Sequence, residues 1–200
     1  MRRIAFIVLL SLFSGMVFAQ NRVEVDYESP DSLPATLREL MEFLDVKYMK
    51  IRVHGDIRGK QWKLRVNEAH DGQVKTNPVF PYSTEFTDTV AVFTFIARDD
   101  GDSVKIFTKT PWYSGSRKYA VETANGTAHA TPYILMETLP AQPYTLPGEV
   151  NLVAYTSGLQ KDPEKTSFDF CGLRFAKTDP KEWQAVHKVP RFVYFSLQLK

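Results

Sequence analysis

The chain predicts an all-β domain, an antiparallel β-sandwich of jelly-roll type with one helix at its N-terminal end. Three observations carry this reading. The hydrophobic period is 3.6 over one early segment and close to 2 almost everywhere after residue 45. Turn signals recur about every 10 to 15 residues, the spacing of short strands in a sandwich. Aromatic residues make up 13% of the chain, with 14 Phe and 9 Tyr, and these side chains fill a pleated, half-buried surface.

Residues 20–30 are polar and read as a loose arm. In the segment DSLPATLRELMEFLD that follows, Asp31 or Ser32 caps a helix and Pro34 stands near its first position, where a missing N–H costs little. Leu37, Leu40, Met41 and Leu44 fall at i, i+3, i+4 and i+7, an apolar stripe that would pack over one end or one open face of the sandwich. Met49, Ile51 and Val53 then alternate with Lys50, Arg52 and His54, and Trp62, Leu64 and Val66 with Lys63 and Arg65. Gly55 and Gly59 lie between the two runs, which predicts a β-hairpin with one apolar and one basic face.

Residues 75–87 read as a loop with two prolines. In DTVAVFTFIA, Val90, Val92 and Ile96 share one face and Ala91, Phe93 and Phe95 the other, as in a central strand covered on both sides. Asp99-Asp100-Gly101-Asp102 turns the chain and SVKIFTKT returns it, the strongest hairpin signal present. Further strands are expected at Lys118–Thr123, Pro132–Thr138, Glu149–Tyr155, Ser167–Phe175 and Phe192–Leu199. Asn125-Gly126 and the stretches 139–148 and 157–166 supply the turns between them, and Asp179-Pro180 opens a helical turn over Lys181–Lys188. Val193, Phe195, Leu197 and Leu199 share one face, which ties the C-terminus into the core.

The first nineteen residues carry a different signal. Arg2 and Arg3 precede an apolar run from Ile4 to Phe13, and Val17-Phe18-Ala19 closes the segment: the layout of a secretory signal peptide cut between Ala19 and Gln20. The run is shorter than the ~20 apolar residues that span a bilayer. The expected organisation is therefore a signal peptide over 1–19 and a single β-sandwich domain over 20–200. The protein is expected to be exported, periplasmic or extracellular, with no stable membrane span after cleavage. The only cysteine, Cys171, leaves no partner for an intramolecular disulfide and is far from the lipoprotein position. Without Arg2 and Arg3 the chain holds 23 basic and 23 acidic residues, a balance that argues against a nucleic-acid partner. Alanine followed by glutamine at the junction resembles the signal peptides common in Bacteroidetes. In length and layout the chain resembles small secreted β-rich proteins of unknown function from gut members of that group. The resemblance implies export and supplies no activity.

Few residues point to chemistry. Cys171 lies in SFDFCGLRF, where the aromatics predict a buried strand with a small apolar cysteine, and Gly172 a bulge. Ser114-Gly115-Ser116 lacks the frame of a nucleophile elbow. His54, His70, His129 and His187 do not fall at metal-ligand spacing, and the acidic turn at Asp99–Asp102 lacks the spacing of a calcium loop. No catalytic residue, metal or cofactor is therefore expected. Two surface features remain. Lys50, Arg52, His54, Lys63 and Arg65 would form a basic patch if their strands pair. Phe80, Tyr82, Phe86, Trp112, Tyr113 and Tyr144 are aromatics in loops, suited to stack on sugar rings or on a protein. Together they predict a non-catalytic binding protein for a glycan or an envelope protein, with Trp112, Tyr113 and Tyr144 as stacking surfaces and Arg52 and Arg65 as partners for acidic groups. Two other classes compete: a hydrolase whose two carboxylates come from Glu122, Glu137 and Glu149, and an assembly component that pairs an edge strand.

Overall fold

The computed structural model describes residues 22–121, 133–138, 144–160 and 168–200. The expected signal peptide over 1–19, Glu122, the Asn125-Gly126 turn, His129 and residues 139–143 and 161–166 of the other expected turns lie outside the described residues.

Fourteen described strands form two six-stranded antiparallel sheets and one short pair. The first sheet contains β1 (Arg22–Glu28), β2 (Val46–Gly55), β6 (Val90–Asp99), β7 (Ser103–Lys109), β8 (Ser114–Ala120) and β10 (Tyr144–Thr145), in the order β10-β1-β2-β6-β7-β8. The second contains β3 (Gln61–His70), β4 (Gln73–Pro78), β5 (Thr84–Glu85), β9 (Tyr133–Glu137), β11 (Gly148–Ser157) and β14 (Phe192–Leu199), in the order β4-β3-β14-β11-β9 with β5 also on β3. β12 (Leu159–Gln160) pairs with β13 (Phe168–Asp169). Helices are few: α1 (Ala35–Phe43), α2 (Phe170–Phe175) and α3 (Trp183–His187).

The sheets face each other as the fold class predicts. Ile51, Phe93 and Phe95 of the first pack with Trp62, Leu64, Phe195 and Leu197 of the second, all essentially inaccessible. Rings interlock across the gap, Phe95 with Phe195 at 4.9 Å and Trp62 edge-on to Phe93 at 5.4 Å. The Tyr27 hydroxyl crosses to donate to the Leu152 carbonyl at 2.9 Å. The hairpin of β6 and β7 and the strand β14 form as predicted.

Several expectations are corrected. The loose arm is β1, whose Val23 and Val25 are buried opposite Gly55 and Val53 of β2. β2 and β3 do not pair; residues 56–60 carry the chain from one sheet to the other. Gly55 makes this corner possible: at φ +118° its missing Cβ would lie 2.3 Å from the Arg22 carbonyl oxygen. Ile57 then plugs the corner, fully buried where a hairpin tip would meet water. β6 is central but covered on one face only, with Val90 and Val92 in solvent. The strands buried on both faces are β11 and β14. Part of the 75–87 loop is β4 and β5. The predicted strand at 167–175 is two residues of β13 followed by α2, because Asp169 accepts the Gly172 N–H at 2.6 Å and caps a helix. Cys171 is therefore exposed on α2 rather than buried in a strand, and Gly172 is a helical residue rather than a bulge. α1 forms, but neither Asp31 nor Ser32 caps it: both lie in the preceding turn Pro30–Ser32, and Pro34 precedes the first helical residue with no side-chain cap. Its stripe does not reach the core either: Leu37, Leu40 and Leu44 face solvent, as does Phe43, and Met41 is half-buried.

A second apolar layer explains the burial of β11 and β14. Met136, Ala154, Phe192 and Tyr194 on the outer face of the second sheet lie under Leu173 of α2 and Trp183 of α3. Asp179 caps the turn Pro180–Glu182 that leads into α3, as the sequence predicts. Trp183 stacks on Phe192 at 5.5 Å and donates to the Thr178 carbonyl at 2.9 Å. Gln184 accepts the Gly72 N–H at 3.0 Å, tying the helices to the β3–β4 turn.

Deleting the last eight residues removes most of a strand that joins β3 to β11, so the truncated chain is expected to lose cooperative unfolding in urea. A folded, monomeric truncation would refute that placement. Burial raises the phenol pKa of Tyr27, Tyr119, Tyr155 and Tyr194, that of Tyr119 to about 12. The neutral phenols stabilise the fold fully below the unfolded value near 10, and this stability is lost as pH rises towards 12. Chemical denaturation should therefore show a falling midpoint between about pH 10 and 12; a flat midpoint would contradict this.

Candidate functional site: a polar cleft on the second sheet

Strand alternation sends Arg65 and Asn67 of β3, Val74 and Thr76 of β4, Tyr194 and Ser196 of β14, and Glu149 and Asn151 of β11 to the outer face of the second sheet. All but the fully buried Ser196 line a cleft of about 400 Å³ beside the cover of α2 and α3, and Asp179 and Lys181 form one wall. A β-bulge between Asn151 and Val153 adjusts the alternation: Leu152 and Val153 both enter the core while Asn151 stays in the cleft.

The floor is one hydrogen-bonded chain across four strands. Thr76 Oγ1 donates to Asn67 Oδ1 at 2.7 Å, Asn67 Nδ2 to Ser196 Oγ at 2.9 Å, and Ser196 Oγ to Glu149 Oε1 at 2.5 Å. Arg65 closes it, 3.8 Å from Glu149 Oε2 and donating to Gln198 Oε1 at 2.8 Å. Asn67 and Ser196 are almost wholly buried, and buried polar groups must be paired. Their pairing holds the more accessible ends of the chain, Thr76, Glu149 and Arg65, in fixed positions at the cleft. Its charges balance: Glu149 and Asp179 against Arg65 and Lys181, with Lys181 3.6 Å from Asp179. Burial, with Asp179 and Glu149 nearby, keeps the Tyr194 phenol neutral and able to donate.

Of the five residues expected to bind ligand, only Arg65 lies in this cleft. Arg52 is on the outer face of the first sheet, 3.3 Å from Glu28. Separating β2 from β3 dissolves the basic patch, and its β2 half meets the acidic row of β1: Lys50 with Glu28 at 2.9 Å and His54 with Asp26 at 2.9 Å. The Lys50 ammonium holds the Glu28 carboxyl below its usual pKa. Trp112 and Tyr113 sit in the β7–β8 turn, held by Thr110 Oγ1, which accepts both their N–H groups at 3.3 and 3.0 Å. Trp112 is 58% exposed, while Tyr113 folds down on Phe80, ring centres 5.4 Å apart. Phe80 and Phe86 are buried around Trp62 as covers over one end of the sandwich, and Tyr82 is exposed. Tyr144 is half-buried on the edge strand β10.

Among the carboxylates weighed for a two-carboxylate cleft, Glu149 lines the cleft and Glu137 pairs with Arg174 at 3.3 Å; the second acid in the cleft is Asp179. Among the described residues no group of three or more His, Cys, Asp or Glu is placed to hold a metal. Asn67, Thr76, Asn151, Asp179, Tyr194 and Ser196 were missed as site residues. One signal marks two of them: Ser196 in FVYFSLQL and Asn151 in VNLVAY are lone small polar residues inside apolar strands. No protein-family model, curated protein or solved structure matches the chain, so the cleft is read from its own chemistry.

Ser196→Ala removes at once the acceptor for Asn67 and the donor to Glu149. It is expected to cost about 1–3 kcal/mol in urea unfolding, the penalty of buried polar atoms left unpaired. A neutral substitution would mean that water replaces the hydroxyl and that the chain is not a fixed unit.

Proposed function

We propose that this is an exported, non-catalytic binding protein whose polar cleft holds a carbohydrate of the cell envelope. The observation that carries the reading is the buried chain from Thr76 to Arg65, a preset alternation of donors and acceptors at the floor of an open cleft. Such a pattern suits hydroxyl groups, each of which donates and accepts. The cleft volume falls within the range of small-ligand sites, about 300–1,000 Å³. Paired charges of both signs favour a saccharide that itself carries a charged group, which Arg65 or Lys181 meets if acidic and Glu149 or Asp179 if basic. Tyr194 supplies the ring at the floor. Export is supported by Arg2 and Arg3, the apolar run from Ile4 to Phe13 and Ala19.

Thermal unfolding of the protein recovered after export, with Gln20 as its expected N-terminus, tests the reading against neutral, acidic and amino saccharides. A ligand of the native state adds about 2.7 kcal/mol at a hundredfold excess over Kd. The shift should vanish in Arg65→Ala and Asn67→Ala and persist in Trp112→Ala. A shift that Trp112→Ala abolishes and Arg65→Ala leaves intact would move the site to the end of the sandwich. No shift with any saccharide would sink the carbohydrate reading. Hydrolysis of a saccharide that is lost in Glu149→Gln would replace it with the two-carboxylate reading.

A further inference from the structure

The outer face of the first sheet carries an arrangement that the cleft does not explain. Register places Arg98, Lys105 and Lys118 side by side on β6, β7 and β8. Neighbouring strands lie about 4.8 Å apart, and like charges directly opposite each other destabilise a sheet. Edge protection accounts for Lys118, which is on the outermost strand, but not for Arg98 or Lys105, which are on interior strands. The next row is apolar over three strands, Tyr48 beside Ile96 beside Phe107, and ends in Ser116 on β8. The row after it holds Lys50, Thr94 and Lys109.

No acid occupies an outward position of β6, β7 or β8. The acids that face this surface come from other segments. Asp100, in the β6–β7 turn, pairs with Lys118, and Glu28 of β1 pairs with Lys50 and Arg52. Asp26 pairs with His54. Arg98, Lys105 and Lys109 have no ion-pair contact among the described residues; Asp100 acts on Arg98 and Lys105 at longer range, and one acid against four bases leaves the β6–β8 half of the face a positive excess. Uncovered apolar side chains adjoin it: Val90 and Val92 on β6 are exposed. At the β2 border, Met41 of α1 and Tyr48 share a groove that Arg38 and Glu42 of the same helix also line, one base against one acid, while Leu40 and Phe43 of that helix face solvent.

We infer that this face docks on an anionic phospholipid surface, with Arg98, Lys105, Lys109 and Lys118 against the headgroups and the apolar row and its exposed neighbours at the acyl boundary. Charge complementarity selects an anionic partner. The apolar groups among the cations select lipid over an acidic glycan, which offers nothing for Val92 or Phe43 to enter. Docking also relieves the repulsion within the row, which lipid phosphates would neutralise.

The test is co-sedimentation of the exported protein with vesicles of phosphatidylglycerol and phosphatidylcholine, and with phosphatidylcholine alone. Binding is expected only to the first and should weaken with added salt. Each cation removed should weaken binding about fivefold, the equivalent of about 1 kcal/mol. Lys105→Glu is the decisive variant, because it places an acid between Arg98 and Lys118: vesicle binding should fall while the melting temperature rises. Lys75→Glu on the second sheet should leave binding unchanged, and Phe43→Ser should weaken it without altering charge. Failure to bind phosphatidylglycerol vesicles would overturn the inference. So would binding that Lys105→Glu with Lys109→Glu leaves undiminished, since that places the contact elsewhere. Binding to soluble polyglutamate in the absence of vesicle binding would overturn it in favour of an acidic protein partner.

Discussion

The burial of β14 on both faces is the constraint on which the rest of this structure depends. Its odd-numbered residues, Val193, Phe195, Leu197 and Leu199, enter the sandwich, and its neighbours β3 and β11 are held by it on either side. Its even-numbered residues make the outer surface: Phe192 and Tyr194 lie under the helical cover, and Ser196 joins the polar chain. A one-residue slip in register would exchange these sets, sending Ser196 into the core and Phe195 into the cleft. Core and candidate site are therefore specified together, by the parity of one strand.

That coupling explains why the two sheets differ so much on their outer faces. The second sheet is partly roofed by α2 and α3, so polar atoms beside the roof lose water and must pair with one another. The result is the directional chain from Thr76 to Arg65. Over the described residues no helix packs across the middle of the first sheet's outer face, and its charges remain solvated. Pairs such as Arg52 with Glu28 are then worth little individually. The partly roofed face therefore carries a directional polar network, and the open one solvated charge.

What the sequence made legible follows the same logic. β6, β7 and β14 were readable because their alternation and turn chemistry act locally: Gly101 sits where φ is +75°, and four apolar residues of β14 share one face. The helical turn after Asp179 was readable from its cap. The separation of β2 from β3 was not readable, because a hairpin and a sheet-to-sheet corner demand the same alternation on both arms; only the burial of Ile57 distinguishes them, and that is tertiary. β1 was overlooked because four of its seven residues are charged and only Val23, Val25 and the amphipathic Tyr27 carry its period. α2 was mistaken for a strand because aromatic density outweighed the Asp169 cap. Of the expected binding residues, Arg65 alone reached the cleft, since the cleft unites four strands and a turn that are distant in sequence.

The charge balance of the chain concealed its surface. With 23 acids and 23 bases over residues 20–200, composition shows no net charge and says nothing of where charges gather. Register decides that. β1 aligns Glu24, Asp26 and Glu28 against His54, Arg52 and Lys50 of β2, so acid and base cancel across one pair of strands. β6, β7 and β8 align Arg98, Lys105 and Lys118 with one another, and only the turn residue Asp100 opposes them. Because strand pairing adds charges across the sheet rather than along the chain, a formally neutral sequence can fold into one self-neutralised half-face and one cationic half-face. The separation follows from the strand order that puts β2 beside β1 rather than beside β3. The corner at Gly55 and Ile57 is therefore a structural cause of the electrostatic pattern as well as of the fold.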